Sequence, residues 1–264
     1  MRKLNRLVGL LAGTAMVAAL AVPVAADSHD NAMVRVVHAS PDAPNVDIWV
    51  DGETVLTDVP FTAVSDYLSL PAGTYSIAVS ATGDTDPVIG PLDLDFEAGT
   101  AYTIAAYGFV AEINATVFTD DTTIADGQSK LRAIHLSPSA PADVDIALQG
   151  GDVVVPGLSF PEASGYLTLD AGDYPLEIRA AGEADAAFEF TASLPANTNV
   201  TAFAMDDGEG VQIVTAIDAE GTAMSPDTAM AQPSTVTPVL LAGLALLGMA
   251  ALLTVRTLAA RTER

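Results

Sequence analysis

His38, Ser40 and Asp47 put an imidazole, a hydroxyl and a carboxylate within ten residues, and the same three types return as His135, Ser137 and Asp145. Those are the parts of a nucleophilic triad, in which the imidazole takes the hydroxyl proton and the carboxylate orients the ring. On a strand, residues two apart share a face, so His38 and Ser40 would point the same way. A triad also needs a nucleophile raised on a sharp turn and donors for the oxyanion. No G-x-S-x-G or similar turn flanks either serine. The competing reading is structural. His38 and His135 would bond the turn that follows them, Pro41 and Pro44 (Pro138 and Pro141 in the second copy) would stiffen it, and Ser40 or Asp42 would cap backbone amides. These ten residues, from His38 to Asp47 and from His135 to Asp145, are therefore taken as a structural motif, with a ligand groove at the strand end as the remaining option. No residue is assigned a catalytic or cofactor-binding role.

Metal chemistry has few parts to work with. There is no cysteine, and His29 is the only histidine besides the motif pair. Zinc needs three or four close Cys, His or carboxylate ligands. Calcium needs six to eight oxygens. Asp84 with Asp86, Asp93 with Asp95, Asp120 with Asp121 and Asp143 with Asp145 could each supply two, but none sits in a D-x-[DN]-x-[DN]-G loop. Weak divalent-cation binding is the most they suggest, and no cofactor is expected. Trp49 is the single tryptophan and is not repeated, which makes it the candidate ligand contact for a stacked sugar. Tyr67 and Tyr75 do recur, which favours a core role. Asn114 and Asn199 open glycosylation sequons.

The repeat extends beyond the motif. Val46-Asp47-Ile48 returns as Val144-Asp145-Ile146, Tyr67-Leu68 as Tyr166-Leu167, and Ala72-Gly73 as Ala171-Gly172, at offsets drifting from 97 to 99 residues. A unit this long is a domain used twice rather than a solenoid repeat. Within it, short β-rich runs alternate with turn signals. Examples are Met33–His38, Val46–Val50 ending at Asp51-Gly52, Val64–Leu70 before Pro71-Ala72-Gly73, and Thr74–Ala81. No internal window has a helical period. Such spacing predicts two tandem antiparallel β-sandwiches, Ig-like or related.

The ends predict a route to the surface. Arg2, Lys3 and Arg6 precede an apolar run from Leu7 to Leu20, and Val24-Ala25-Ala26 offers small residues for cleavage after Ala26. Residues 239–260 form an apolar stretch of 22 residues, about 33 Å as a helix, followed by Arg261 and Arg264. The expected order is a signal peptide (1–26), a short segment (27–32), the first sandwich (33–119), a linker (120–129), the second sandwich (130–220), a stalk (221–238), a C-terminal transmembrane helix (239–260) and a cytoplasmic tail (261–264). That is a single-pass type I protein with its domains outside the cell.

Charge narrows the partners. The chain holds 34 Asp and Glu against 10 Lys and Arg, a net charge of −24. Between residues 27 and 237 stand only Arg35, Lys130, Arg132 and Arg179, against every acid except Glu263. Binding to nucleic acid phosphates needs clustered bases, so no nucleic acid partner is expected. An extracellular protein or a glycan remains.

The string V-R-V-V-H-A-S-P-D-A-P-N-V-D-I-W-V-D-G at 34–52, followed by Y-L-S-L-P-A-G-T-Y at 67–75, resembles domain-of-unknown-function family 4397. The resemblance covers both copies and implies secreted or surface-anchored β-sandwich modules, often in tandem, with no established activity. Copy two departs from the pattern. Ala147 replaces Trp49, and Gln149-Gly150 replaces Asp51-Gly52. The resulting expectation is a non-enzymatic surface protein for binding, adhesion or envelope structure. A carbohydrate-binding module and a calcium-dependent adhesion module are the alternatives.

Overall fold

The computed structural model describes residues 31–206 and 210–221. The signal, stalk and membrane-helix expectations lie outside the described residues. Among those described, no helix is long and apolar enough to cross a membrane.

The first copy comprises β1 (Asn31–Ala39), β2 (Val46–Val50), β3 (Glu53–Val59), β4 (Leu68–Pro71), β5 (Gly73–Ala81), β6 (Pro87–Phe96), β7 (Ala101–Tyr107) and β8 (Asn114–Asp120). The second repeats them as β9 (Gln128–His135), β10 (Asp143–Leu148), β11 (Val153–Ser159), β12 (Leu167–Asp170), β13 (Gly172–Ala180), β14 (Ala186–Leu194), β15 (Thr198–Asp206) and β16 (Val211–Glu220). Each copy pairs two four-stranded sheets: β4-β1-β7-β8 with β3-β2-β5-β6, and β12-β9-β15-β16 with β11-β10-β13-β14.

The antiparallel expectation needs one correction in each copy. β1 runs parallel to β7, with Met33 beside Ala101, and β9 runs parallel to β15. Between β1 and β7 the chain crosses to the other sheet and back, and such a crossover is what lets neighbouring strands run the same way. The strand expected over Val64–Leu70 is also shorter. Ser65 accepts from the Val36 amide through its hydroxyl at 2.9 Å, and Val64 makes only an isolated bridge to Val37. Asp120, counted with the linker on sequence, is the last residue of β8. At the β2–β3 hairpin, Asp51 and Gly52 take φ of 51° and 80°, the left-handed pair that a two-residue turn demands.

The four sheets stack in four layers. Two clusters fill the first sandwich, one around Val46, Ile48 and Val79 and one around Ile77, Phe96 and Tyr102. Leu131, Ile146, Leu176 and Ile178 fill the second. A further cluster belongs to neither copy alone. Val37, Ala39 and Ala105 of copy one meet Ile134, Leu136, Phe203 and Met205 of copy two. The sheets containing β1 and β9 are therefore covered on both faces. This explains why β1 from Val34 onward, β7 and β15 read as nearly continuous buried runs instead of alternating in and out.

Candidate functional site

The histidine motif closes the end of the first strand in each copy. His38 is fully buried. Its Nε2 lies 3.1 Å from the Pro44 carbonyl oxygen and its Nδ1 lies 3.4 Å from the Ser40 amide nitrogen. A carbonyl can only accept and an amide can only donate, so the ring is neutral with its proton on Nε2. His135 repeats the geometry with Pro141 at 3.0 Å and Ser137 at 3.4 Å. Each ring meets a phenylalanine edge-on, His38 with Phe61 and His135 with Phe160. Both ring nitrogens are thus engaged by backbone, and neither is hydrogen-bonded to a serine hydroxyl. Pro41 and Pro138 stand in the turns these rings bridge.

Asp47 is not the orienting carboxylate of a triad. It accepts from the Asp58 amide at 2.9 Å, the Gly83 amide at 3.1 Å and the Thr82 hydroxyl at 3.1 Å. Asp145 accepts from Gly157 at 2.7 Å and Gly182 at 2.9 Å. Each carboxylate ties the bulged third strand to the turn after the fifth, and Asp58 and Gly157 hold left-handed backbone there. The amide donors from Asp58 and Gly83 lower the pKa of Asp47, and those from Gly182 and Gly157 do the same for Asp145. The serines differ between copies. The Ser137 hydroxyl bonds Asp206, whose other oxygen takes Ser139 at 2.8 Å. Ser40 is buried with no hydroxyl partner among the described residues, because Gly108 occupies the place of Asp206.

Burial holds both imidazoles below their ordinary pKa of 6.5. As pH falls the unfolded chain binds these protons first. The stability that rests on neutral rings is complete above about pH 6.5 and is lost progressively below it, through the depressed native values. A His38→Gln/His135→Gln variant keeps a donor at the Nε2 position but cannot titrate. Its melting temperature should fall less than that of the parent between about pH 7 and about pH 5.5. Parallel melting curves for the two proteins would refute this.

At least one carboxylate of each acidic pair is engaged within the fold, Asp95 by the Thr74 hydroxyl. Asp84 accepts from its own loop, from the amides of Thr85 and Asp86. Asp121 pairs with Lys130 at 2.6 Å, and Asp143 accepts from Ser159. Among the described residues no group of three or more His, Cys, Asp or Glu side chains is placed to hold a metal ion. Trp49 is half-buried on the outer sheet of copy one and donates its indole N–H to Ser80 at 2.9 Å. Its ring lines an open recess of about 410 Å³ with Gly52, Ser76 and Pro91. Asn199 is 1% exposed and donates to the carbonyls of Asp121 and Thr123. In the folded protein its sequon is out of reach of a glycosyltransferase, whereas Asn114 is exposed.

The densest polar constellation lies at the seam between the copies, at residues that sequence reasoning did not bring together. The Arg35 guanidinium reaches out of copy one to Asp218 of copy two, and Arg132 of copy two reaches back to Asp120 at 2.5 Å. Arg35 Nε donates to Thr103 at 2.8 Å, and Arg132 Nε donates to Thr201 at 3.0 Å. Their remaining guanidinium nitrogens bond the carbonyls of Ile217 and Thr119. Asp120 also accepts from Tyr67 and Thr103, each at 2.6 Å, while Asp218 accepts from Tyr166 and Thr201, again at 2.6 Å. Each arginine lies over the tyrosine ring of its own copy, at 4.8 Å and 4.7 Å. Burial above all pushes both phenols well above their ordinary pKa, so they stay protonated and donate.

This is a pseudo-twofold network, neutral in sum, with its arginines 1% and 2% exposed. The repeat carried a signal for it. Arg35, Tyr67, Thr103 and Asp120 recur as Arg132, Tyr166, Thr201 and Asp218 at the offsets of the rest of the chain, and two of the four bases between residues 27 and 237 belong to it.

No curated protein matches the chain. Among the solved structures to which the chain is similar, two match at 12% identity and a TM-score of 0.23. They are the Bacillus anthracis TIE protein, over 67% of this chain and 34% of that one, and the family CBM26 module CBMbc of Eubacterium rectale Amy13K in complex with maltoheptaose, over 71% of this chain and 95% of that one. The family described as a domain of unknown function (DUF4397) matches residues 32–147 and again 142–232, so that with both copies of its histidine motif accounted for the chain belongs to that family.

Proposed function

We propose that this chain is a non-enzymatic protein of the cell surface, anchored by a single type I span. It presents its two sandwiches outside the cell as one rigid body that binds an extracellular protein or glycan, in adhesion or envelope structure. The observation that carries the non-enzymatic part of this reading is how the motif is used, and the topology rests on the apolar segments of the sequence. The imidazoles of His38 and His135 and the carboxylates of Asp47 and Asp145 are bonded to backbone groups that shape the domain ends. The seam adds rigidity, since a buried ion network with every charge paired resists separation of the copies. Both inner sheets are spent on that seam, which leaves the two outer sheets and the strand-end loops as the binding surfaces.

Protease treatment of intact cells expressing the full chain with a C-terminal tag tests the topology. A tag that survives on a short membrane-bound fragment while both domains are removed is the expected result. Loss of the tag from intact cells, or domains that resist until the cells are lysed, would overturn it.

A glycan is the more specific reading, favoured by the Trp49 recess. Full-length Trp49→Ala should lose most of its retention on any immobilised polysaccharide that retains the parent, because aromatic platforms carry much of the binding energy at such surfaces. Retention unchanged in the variant would remove the glycan reading and leave a protein partner.

A further inference from the structure

Copy one contains an apolar chamber that is larger than the cavity left in copy two. Between its two sheets, on the side edged by β6 and β8, lies a cavity of about 260 Å³. Its walls include Ile77, Ile89, Leu92, Ile104, Ala115 and Val117, and of all the lining residues only Thr116 is polar. Strand register shows why it is there. Opposite Ile77 stands Leu92 and opposite Val79 stands Ile89, whereas the matching positions of copy two hold Phe190 opposite Leu176 and Phe188 opposite Ile178. On the facing wall Ala115 pairs with Ala106 where copy two pairs Ile213 with Ala204. Three smaller side chains on two edge strands thus widen in copy one a space that two stacked phenylalanines and an isoleucine narrow in the second copy, where a smaller apolar cavity of about 160 Å³ remains beside Phe190. Leu92 and Val117 are each 38% exposed, so the chamber opens to solvent between the strand edges.

We propose that this chamber is a binding site for the hydrocarbon chain of a small uncharged amphiphile. It is larger than the roughly 150 Å³ apolar cavity known to admit benzene. Facing sheets stand about 10 Å apart, one layer of side chains, so the space is a slot suited to a single linear chain rather than a fused ring system. A free carboxylate or phosphate head is disfavoured, because the lining has no base and the chain carries a net charge of −24. The head group would rest at the mouth, in water. This inference is independent of the surface-binding reading, since the chamber lies inside the first sandwich.

The test is methyl-resolved NMR of the full-length chain in lipid nanodiscs, titrated with 1-octanol and separately with octanoate. Saturable shifts of the Ile77, Ile89 and Leu92 methyls are expected with 1-octanol, and at least tenfold weaker binding with octanoate. The Ile89→Phe/Leu92→Phe variant imports the side chains of copy two. It should lose the saturable shifts and melt a few degrees higher, as cavity filling does. Ala115→Ile narrows the slot from the opposite wall and serves if the double variant does not fold. Absence of saturable shifts in the parent, or shifts that persist in a folded filled variant, would overturn the proposal. Equal binding of octanoate would overturn the uncharged head group.

Discussion

Asp218→Ala is expected to destabilise the protein by about 3–5 kcal/mol, the range for removing one partner of a buried ion pair. The loss would come from what is stranded. Arg35 is left buried without its cross-seam carboxylate, keeping the Ile217 carbonyl and the more distant Asp120 at 3.8 Å, and the hydroxyls of Tyr166 and Thr201 lose their acceptor. Because the network is pseudo-symmetric, Asp120→Ala should cost a similar amount by stranding Arg132, Tyr67 and Thr103. Denaturant unfolding of the parent and both variants measures this. Values below about 1 kcal/mol, the range of exposed pairs, would mean that water reaches the seam.

Phe203→Ala is expected to cost about 3–5 kcal/mol, the range for truncating a fully buried aromatic side chain. Phe203 is fully buried, packs in the seam cluster with Ala105, and lies 5.7 Å from the Arg35 guanidinium carbon. It therefore belongs both to the apolar contact and to the charge network. Residues that share partners do not contribute additively. The Phe203→Ala/Asp218→Ala variant should cost less than the two single changes together, by at least about 0.5 kcal/mol. Strict additivity would show that the apolar and ionic halves of the seam act separately.

The fold was legible to different depths in different places. β2 was readable to the residue because the turn dipeptide Asp51-Gly52 bounds it. The parallel pairing of β1 with β7 was not, since direction depends on where a chain returns and not on local pattern. The motif could be found but not interpreted from spacing alone. Only the distances from His38 to the Pro44 carbonyl and from Asp47 to the Asp58 amide show both groups spent on backbone. The seam was the largest omission. Asp120 and Asp121 looked like one acidic pair, yet β8 ends between them and their carboxylates take different partners. Asp120 enters the buried network while Asp121 pairs with Lys130. The rarity of bases, set beside their recurrence, was the signal that could have found it.

The seam is symmetric in its charges but not in its shapes. Copy one contributes Ala39 and Ala105 where copy two contributes Leu136 and Phe203, so small residues on one side receive large ones from the other. Two first copies placed together would leave voids at these positions, and two second copies would collide. The copies have become complementary instead of interchangeable, like the two halves of a lock that still share one casting. An array of such domains that grew by a single unit would carry an uncovered inner face, with a buried arginine lacking its counter-charge. In this chain, then, the folding unit is the pair and not the single repeat.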